Sequence, residues 1–169
     1  VYKRQELEVE GKAYAMPWDS GPVAMFYRRD FYEKAGVDPA TIKSWDDFIA
    51  TGEQFVSADT GVGFLDAATN VYNSILMQVA GNSSGHTYYN TDNTLDLDNP
   101  DIKTAWDLTI EMIEKDLSAG LQSFSDEWNA GFAQGTFATI ACPAWMTGVI
   151  AGAAGDAAAG LWDVTDAPG

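Results

Sequence analysis

The sequence predicts an α/β protein whose strands and helices alternate and pack as layers, and three observations carry that prediction. Short apolar runs recur at Val23–Tyr27, Val62–Leu65, Phe137–Cys142 and from Leu161, each beside a Gly, Pro or turn-forming cluster. The segments between them repeat their apolar residues at helical spacing. Those segments also carry helix punctuation: Ser44, Asn99-Pro100 and Ser125 as starts, and Gly36, Gly120 and Gly135 as stops. A chain of 169 residues is long enough for one domain that buries most of its unfolded surface. Its longest apolar runs fall well short of the roughly 20 residues of a membrane span.

Gly11 to Gly36 reads as strand, break, strand, helix. Ala13–Met16 is short and apolar, Pro17 interrupts it, and Gly21-Pro22 punctuates it again before Val23–Tyr27. From Arg28 the period changes, with Phe31, Tyr32 and Ala35 on one helical face and Gly36 placed to end it. Trp18 and Asp19 sit at the break. An indole and a carboxylate there suit a crevice that meets a ligand, and equally a Trp packed under a loop with an Asp closing a turn.

Ser44 caps a helix to about Ser57, with Asp46 and Asp47 in the first turn and Trp45, Phe48, Ile49, Gly52, Phe55 and Val56 on the inner face. A turn over Asp59–Gly63 and a short strand lead to a helix from about Thr69 to Ala80, with Val71, Ile75, Leu76 and Val79 inward. Gly81–Gly85 is too small and polar to continue it. A Leu95–Leu97 strand with outward acids follows, then Asn99 and Pro100 open a helix whose predicted inner face is Ile102, Ala105, Trp106, Ile110, Ile113 and Leu117. Ser125 starts a helix ending near Gly135, the Phe137–Cys142 strand comes next, and a short helix from about Trp145 runs into the Ala/Gly-rich Ala151–Gly160.

The net charge of -16 is uneven: residues 1–43 hold seven basic and seven acidic side chains, and Ser44 onward holds two lysines against eighteen acids. Such a surface repels phosphate backbones and anionic lipid, so nucleic acid and membrane surfaces are excluded as expected partners. Cys142 and His86 are single, so neither a disulfide nor a Cys/His zinc cluster is available within the chain. Cys142, in an apolar run, reads as a small buried hydrophobe. Asp92, Thr94, Asp96 and Asp98 alternate like calcium ligands, but the sixth loop position is Leu97 and the twelfth Lys103, where the calcium loop needs Gly and Glu. No metal and no cofactor is expected.

Tyr-Ala-Met-Pro-Trp-Asp, the strand ending at Tyr27, Arg29-Asp30-Phe31-Tyr32 and Ala35-Gly36-Val37 together resemble the hinge-crossing region of the extracellular solute-binding proteins of sugar ABC transporters, the family of maltose-binding protein. Ser44-Trp45-Asp46-Asp47-Phe48, Asn99-Pro100 with its helix, and Phe132–Trp145 resemble further family segments in the same order. The resemblance implies a periplasmic-binding-protein type II-like fold, represented here mostly by its second lobe. Residues 1–21 would end the first lobe, with 1–5 foreign to it; residues 22–26 would be the crossing strand; residues 27–169 would be an incomplete second lobe.

Sugars need aromatic platforms for their C–H faces and planar polar groups for their hydroxyls. By the resemblance, Trp145 is the leading platform, with Trp18 and Asp19 as the crossing strand's contribution. Tyr72 and Asn73 lie where a helix begins to face the cleft, and an ordinary first helical turn explains them as well. Trp45 and Trp106 fall on apolar helix faces and read as core; Trp128 fits either role.

The family implies a non-enzymatic binder that closes two lobes on a sugar or oligosaccharide and delivers it to an ABC permease. It would be monomeric and extracytoplasmic, in the periplasm or as a cell-surface lipoprotein. A glycosidase is the alternative, since Trp and acids suit its cleft too. That chemistry requires two carboxylates across one bond, and no spacing in the sequence nominates a pair.

Overall fold

The structure is a computed structural model and describes residues 7–16 and 21–169. The first described element is a small hairpin, β1 (Glu8–Val9) antiparallel to β2 (Lys12–Ala13), with Glu8 opposite Ala13. Its two-residue loop, Glu10-Gly11, has positive φ at both positions (51° and 76°), the backbone twist that suits such a hairpin. The strand expected over Ala13–Met16 is therefore shorter, its pairing ending with Ala13 and the Tyr14 N–H that donates to the Leu7 carbonyl; the Tyr14 and Met16 side chains are exposed.

The main sheet has strand order β4-β5-β3-β6, formed by β3 (Val23–Arg28), β4 (Gly63–Leu65), β5 (Phe137–Pro143) and β6 (Trp162–Asp166). β4 runs parallel to β5, whereas β3 is antiparallel to both β5 and β6, so β3 is hydrogen-bonded along both edges. Strand alternation divides the side chains between two cores. The pairs Met25/Ala141 and Tyr27/Thr139 face one side, and Phe26/Ile140 and Ala24/Cys142 face the other.

The first face is covered by α1 (Arg29–Ala35), α2 (Trp45–Ser57), α3 (Ala68–Asn82) and α4 (Pro100–Glu114). The second is covered by α5 (Asp126–Gln134) and α6 (Met146–Ala154). Short 3-10 turns at Pro39–Thr41 and Asp156–Ala158 complete the described elements. The layers are those of an α/β fold, with helices on both faces of a mixed sheet.

Most of the punctuation read from sequence forms at the expected places; Gly120 is the exception, since α4 already ends at Glu114 with Lys115 as its cap. Gly36 ends α1 at φ 68° and Gly135 ends α5 at φ 74°. Ser44 and Asp47 make a reciprocal capping box at the start of α2, the Asn99 side chain accepts from Asp101 N–H with Pro100 behind it, and the Ser125 hydroxyl accepts from Trp128 N–H. Trp45 is core, as expected, and its indole N–H donates to Gln78.

Three further expectations fail. Val56, read onto the inner face of α2, is 43% exposed. The inner face of α4 is Ile102, Ala105, Thr109 and Met112, and Trp106, Ile110 and Ile113 are about half exposed. Thr109 can occupy the core position because its hydroxyl donates to the Ala105 carbonyl one turn back, leaving no bare polar group. Leu117 does turn inward, beyond a helix end that Asp116 closes at φ 56°.

The Leu95–Leu97 strand is likewise reduced to one bridge, Leu95 to Tyr89, across a turn with Asn93 at φ 65°. Asp92 accepts from both the backbone N–H and the hydroxyl of Thr94, and Asp96 pairs with His86 at 3.1 Å. These acids are engaged in local turn chemistry.

Candidate functional site

The ends of β4 and β5 and the start of β3 meet at one edge of the sheet. Open sheets commonly meet ligands at such an edge, beyond the carboxyl ends of their parallel strands. Val23 pairs with Pro143, and Ala144 N–H donates to the Pro22 carbonyl at 3.0 Å. Gly21 is pressed against this corner: a Cβ there would lie 2.7 Å from Pro143 Cβ and 3.6 Å from Trp145 Cδ1. Only a residue without a side chain fits, which keeps the start of β3 against Trp145.

Trp145 caps α6 from outside the helix and is 47% exposed. Its plane lies within 13° of that of Phe124, the ring centres being 6.5 Å apart. Phe124 is 61% exposed and has φ 64°, a left-handed conformation that a bulky side chain rarely adopts. It also packs on Trp128 at 5.1 Å. Trp128 is buried, stands edge-on to Phe132, and donates its indole N–H to an Asp66 carboxylate oxygen at 2.8 Å.

Asp66 follows directly on β4. The same carboxylate oxygen accepts from Asn70 in the first turn of α3, at 2.7 Å, while the Asp66 carbonyl accepts from Leu121 N–H. Burial pushes the Asp66 carboxyl above the ordinary carboxylate range, against the pull of its two side-chain donors. The neighbouring Cys142 is half buried, and burial together with the Asp66 charge pushes its thiol up to about 11. At neutral pH it is a thiol, consistent with a packing role.

A groove of about 720 Å³ runs beside these groups, lined among others by Thr69, Asn70, Ser118, Gln122 and Ser123. Ser123 of its lining immediately precedes the exposed Phe124 in the chain. A second groove of about 390 Å³, between α6 and β6, is lined mainly by apolar residues such as Phe26, Ile150, Ala154 and Trp162. The first groove supplies amides and hydroxyls of the kind a hydroxylated ligand requires, set among apolar residues such as Ile113 and Leu121.

Among the residues expected from sequence, Trp145 lies at this edge. Trp18 and Asp19 fall outside the described residues. Tyr72 is 7% exposed, lies against Trp106 with ring centres 4.3 Å apart, and shares a hydrogen bond with the Tyr88 hydroxyl at 3.1 Å. Asn73 is exposed on α3. Sequence reading missed Phe124 and Asp66 and left Trp128 undecided. The available signals were an aromatic in the polar run Gln122–Asp126 and an acid immediately after a short apolar strand.

Comparison with known proteins agrees with this architecture. The chain is 30% identical over 172 residues to the lactose-binding protein of Rhizobium radiobacter, matching 99% of this chain and 39% of that protein. It is 31% identical over 141 residues to the arabinooligosaccharide-binding protein of Bacillus subtilis strain 168, covering 82% of this chain and 32% of the relative. The chain thus spans about two fifths or less of the length of these relatives.

Among solved structures, an extracellular solute-binding protein of family 1 superposes with a TM-score of 0.86 at 30% identity, over 99% of this chain and 44% of that one. The ABC transporter associated binding protein of B. animalis subsp. lactis, in complex with β-1,6-galactobiose, gives a TM-score of 0.80 at 27% identity, over 99% of this chain and 42% of that one. Residues 3–168 match the bacterial extracellular solute-binding protein family, to which the chain therefore belongs.

Proposed function

We propose that this chain is part of the substrate-binding component of an ABC importer, which captures a sugar or oligosaccharide between two lobes and delivers it to a permease. The observation that carries this reading is the exposed, near-parallel pair Phe124 and Trp145 at the strand-end edge, with a groove lined in part by amides and hydroxyls adjoining it in sequence at Ser123. Aromatic faces meet the C–H patches of a sugar ring, and the groove's amides and hydroxyls suit its edge. The relatives named for binding lactose and arabinooligosaccharides, and the related structure holding β-1,6-galactobiose, support the ligand class.

In this reading residues 1–21 end the first lobe, 22–26 cross between lobes, and 27–169 form the second lobe. Trp18 and Asp19 add an indole and a charged acceptor from the crossing side. Tyr72 and Asn73 are the second lobe's further candidates, Asn73 by exposure and Tyr72 only if its packing against Trp106 opens. Ligand contacts from both lobes would stabilise the closed state, and only that differential affinity drives closure. The protein acts outside the cytoplasm, in the periplasm or as a surface lipoprotein, as a monomer without nucleic acid.

The protein is a binder and not an enzyme. Asp66, the buried acid at the strand ends, is committed to Trp128 and Asn70. The test is calorimetric titration of full-length protein with lactose, β-1,6-galactobiose and arabinooligosaccharides, with the sugars analysed afterwards. Saturable binding of an unaltered sugar is expected, weakened in Trp145→Ala by about 1 kcal/mol or more through lost stacking. Cleavage products would favour the glycosidase reading, and unchanged affinity in the variant would remove Trp145 from the site.

A further inference from the structure

The connection between α3 and α4, residues 83–99, folds back on itself around His86. Asn90 N–H donates to the Thr94 carbonyl at 2.9 Å and Asp96 N–H to the Tyr88 carbonyl at 2.8 Å, closing a hairpin whose apolar side chains Tyr89, Leu95 and Leu97 are each more than half exposed. With so little apolar surface buried, the hairpin depends on its polar ties. Two of these reach the helices. The Tyr88 hydroxyl shares a hydrogen bond with the Tyr72 hydroxyl on α3 at 3.1 Å, and the Asn99 amide, at the start of α4, donates to the His86 and Thr87 carbonyls at 3.2 and 2.9 Å.

His86 supplies the third tie. Its Nε2 lies 3.1 Å from an Asp96 carboxylate oxygen and its Nδ1 lies 3.3 Å from the Ser84 carbonyl oxygen. Carboxylate and carbonyl are both acceptors. A neutral imidazole has one N–H and one lone pair, so it serves one of them and turns a lone pair toward the other; the imidazolium serves both. The arrangement is complete only when His86 is charged.

The charged groups that face the ring are acids from two elements. Asp96 belongs to the hairpin, and Asp101 belongs to the first turn of α4, where the Ser84 hydroxyl at 2.5 Å holds its carboxyl below the ordinary carboxylate range. On the α3 side the ring meets the uncharged Ser84 carbonyl. The Asp96 hydrogen bond above all pushes the His86 pKa up from the ordinary 6.5, with desolvation opposing it. Since the folded value lies above the unfolded one, the stability contributed by this contact is complete below pH 6.5 and is lost as pH rises through the raised value.

We propose that His86 is a pH-operated clasp: its imidazolium, bridging Asp96 to the Ser84 carbonyl, locks the hairpin between α3 and α4, and loss of its proton loosens that hairpin. The change reaches α3 through Tyr88, whose hydroxyl partner Tyr72 lies against Trp106. This device is independent of the sugar-binding reading.

The test follows full-length wild type, His86→Ala and Asp96→Asn by NMR from about pH 5.5 to 8.5, a range that spans histidine titration. The His86 ring signal is identified by its loss in His86→Ala, and solvent exchange of the backbone amides at positions 90 and 96 is corrected for the intrinsic effect of pH. In wild type the ring is expected to titrate above 6.5. Corrected exchange of the two amides should rise about twofold to fivefold as that titration completes, the size that suits a partly exposed ion pair. His86→Ala should show the faster exchange throughout, and Asp96→Asn should move the ring titration and the exchange transition together to lower pH.

Corrected exchange in wild type that ignores the ring titration would overturn the clasp, and that comparison needs no variant. So would a ring that titrates at or below 6.5, a transition that persists in His86→Ala, or one that stays in place when Asp96→Asn shifts the ring. No sugar enters any of these measurements, so their failure leaves the binding reading where it stands.

Discussion

The Trp128 indole N–H donates to the same Asp66 oxygen that accepts from Asn70, so one buried carboxylate joins the end of β4, the first turn of α3 and the first turn of α5. The exposed aromatic pair rests on this junction through the contact of Phe124 with Trp128. A buried carboxyl group thus supports an exposed aromatic pair.

The Asp66 junction should show in the pH dependence of folding. Burial raises its carboxyl above the ordinary 3.8, so between 3.8 and the raised value the folded state binds more protons than the unfolded one. Stability contributed by Asp66 is therefore complete at the acidic end of that window and falls as pH rises through it. Urea unfolding of wild type and Asp66→Asn across pH 4 to 8 should show the difference moving in favour of Asn as pH rises. A difference independent of pH would mean that Asp66 titrates alike in both states.

Arg28 is the cation buried at the end of β3, and its replacement by Lys should be costly. Two of its nitrogens donate to both oxygens of Asp30 at 2.9 and 2.8 Å, its guanidinium lies 4.5 Å over the ring of Phe31, and a third nitrogen reaches the Phe132 carbonyl. Lysine offers a point charge and cannot reproduce the planar two-point contact. Arg28→Lys should lose about 1–3 kcal/mol in chemical denaturation. Arg28 holds the Asp30 carboxyl below the usual carboxylate range, so its NMR titration in the variant should move upward.

Gly52 opposes the usual rule that Ala improves a helix. In α2 its Cβ would stand 2.7 Å from Leu117 Cδ1 and 2.8 Å from Phe64 Cδ1, both side chains being fully buried. The helical gain of about 0.8–1.0 kcal/mol is smaller than the roughly 1–3 kcal/mol of overpacking a tight core. Gly52→Ala should lower the denaturation midpoint, and a second change of Leu117→Val should recover part of it.

Tyr72 is tested by removing only its hydroxyl. The hydrogen bond to Tyr88 and the close ring of Trp106 favour a packing role, for which Tyr72→Phe should lose about 1 kcal/mol of stability and keep its sugar affinity. A selective loss of affinity at unchanged stability would place the hydroxyl in the binding site.

The elements were legible because their signals are local. Ser44, Asn99, Ser125, Gly36 and Gly135 set helix ends within a turn of themselves, and the structure places them as read. The inner face of α4 was misread because hydrophobicity favours Ile110 and Ile113 over Thr109, whereas the choice depends on whether Thr109 can satisfy its hydroxyl and on the neighbours across the interface. At the candidate site Trp145 was named from the family resemblance, and the structure shows it half exposed beside Phe124. Phe124 was not, because its geometry depends on Trp128 and Trp145, neither of them an adjacent residue, and on a backbone angle that the run Ser123-Phe124-Ser125 does not announce. Asp66 was hidden for a similar reason: its donors come from two separate helices.

The place of β3 inside the sheet has a mechanical consequence. It is a beam clamped along both edges, by β5 and β6, and wedged at its near end where Gly21 meets Pro143 and Trp145. Bending it would break two ladders at once, so a torque arriving from upstream is carried through without flexing.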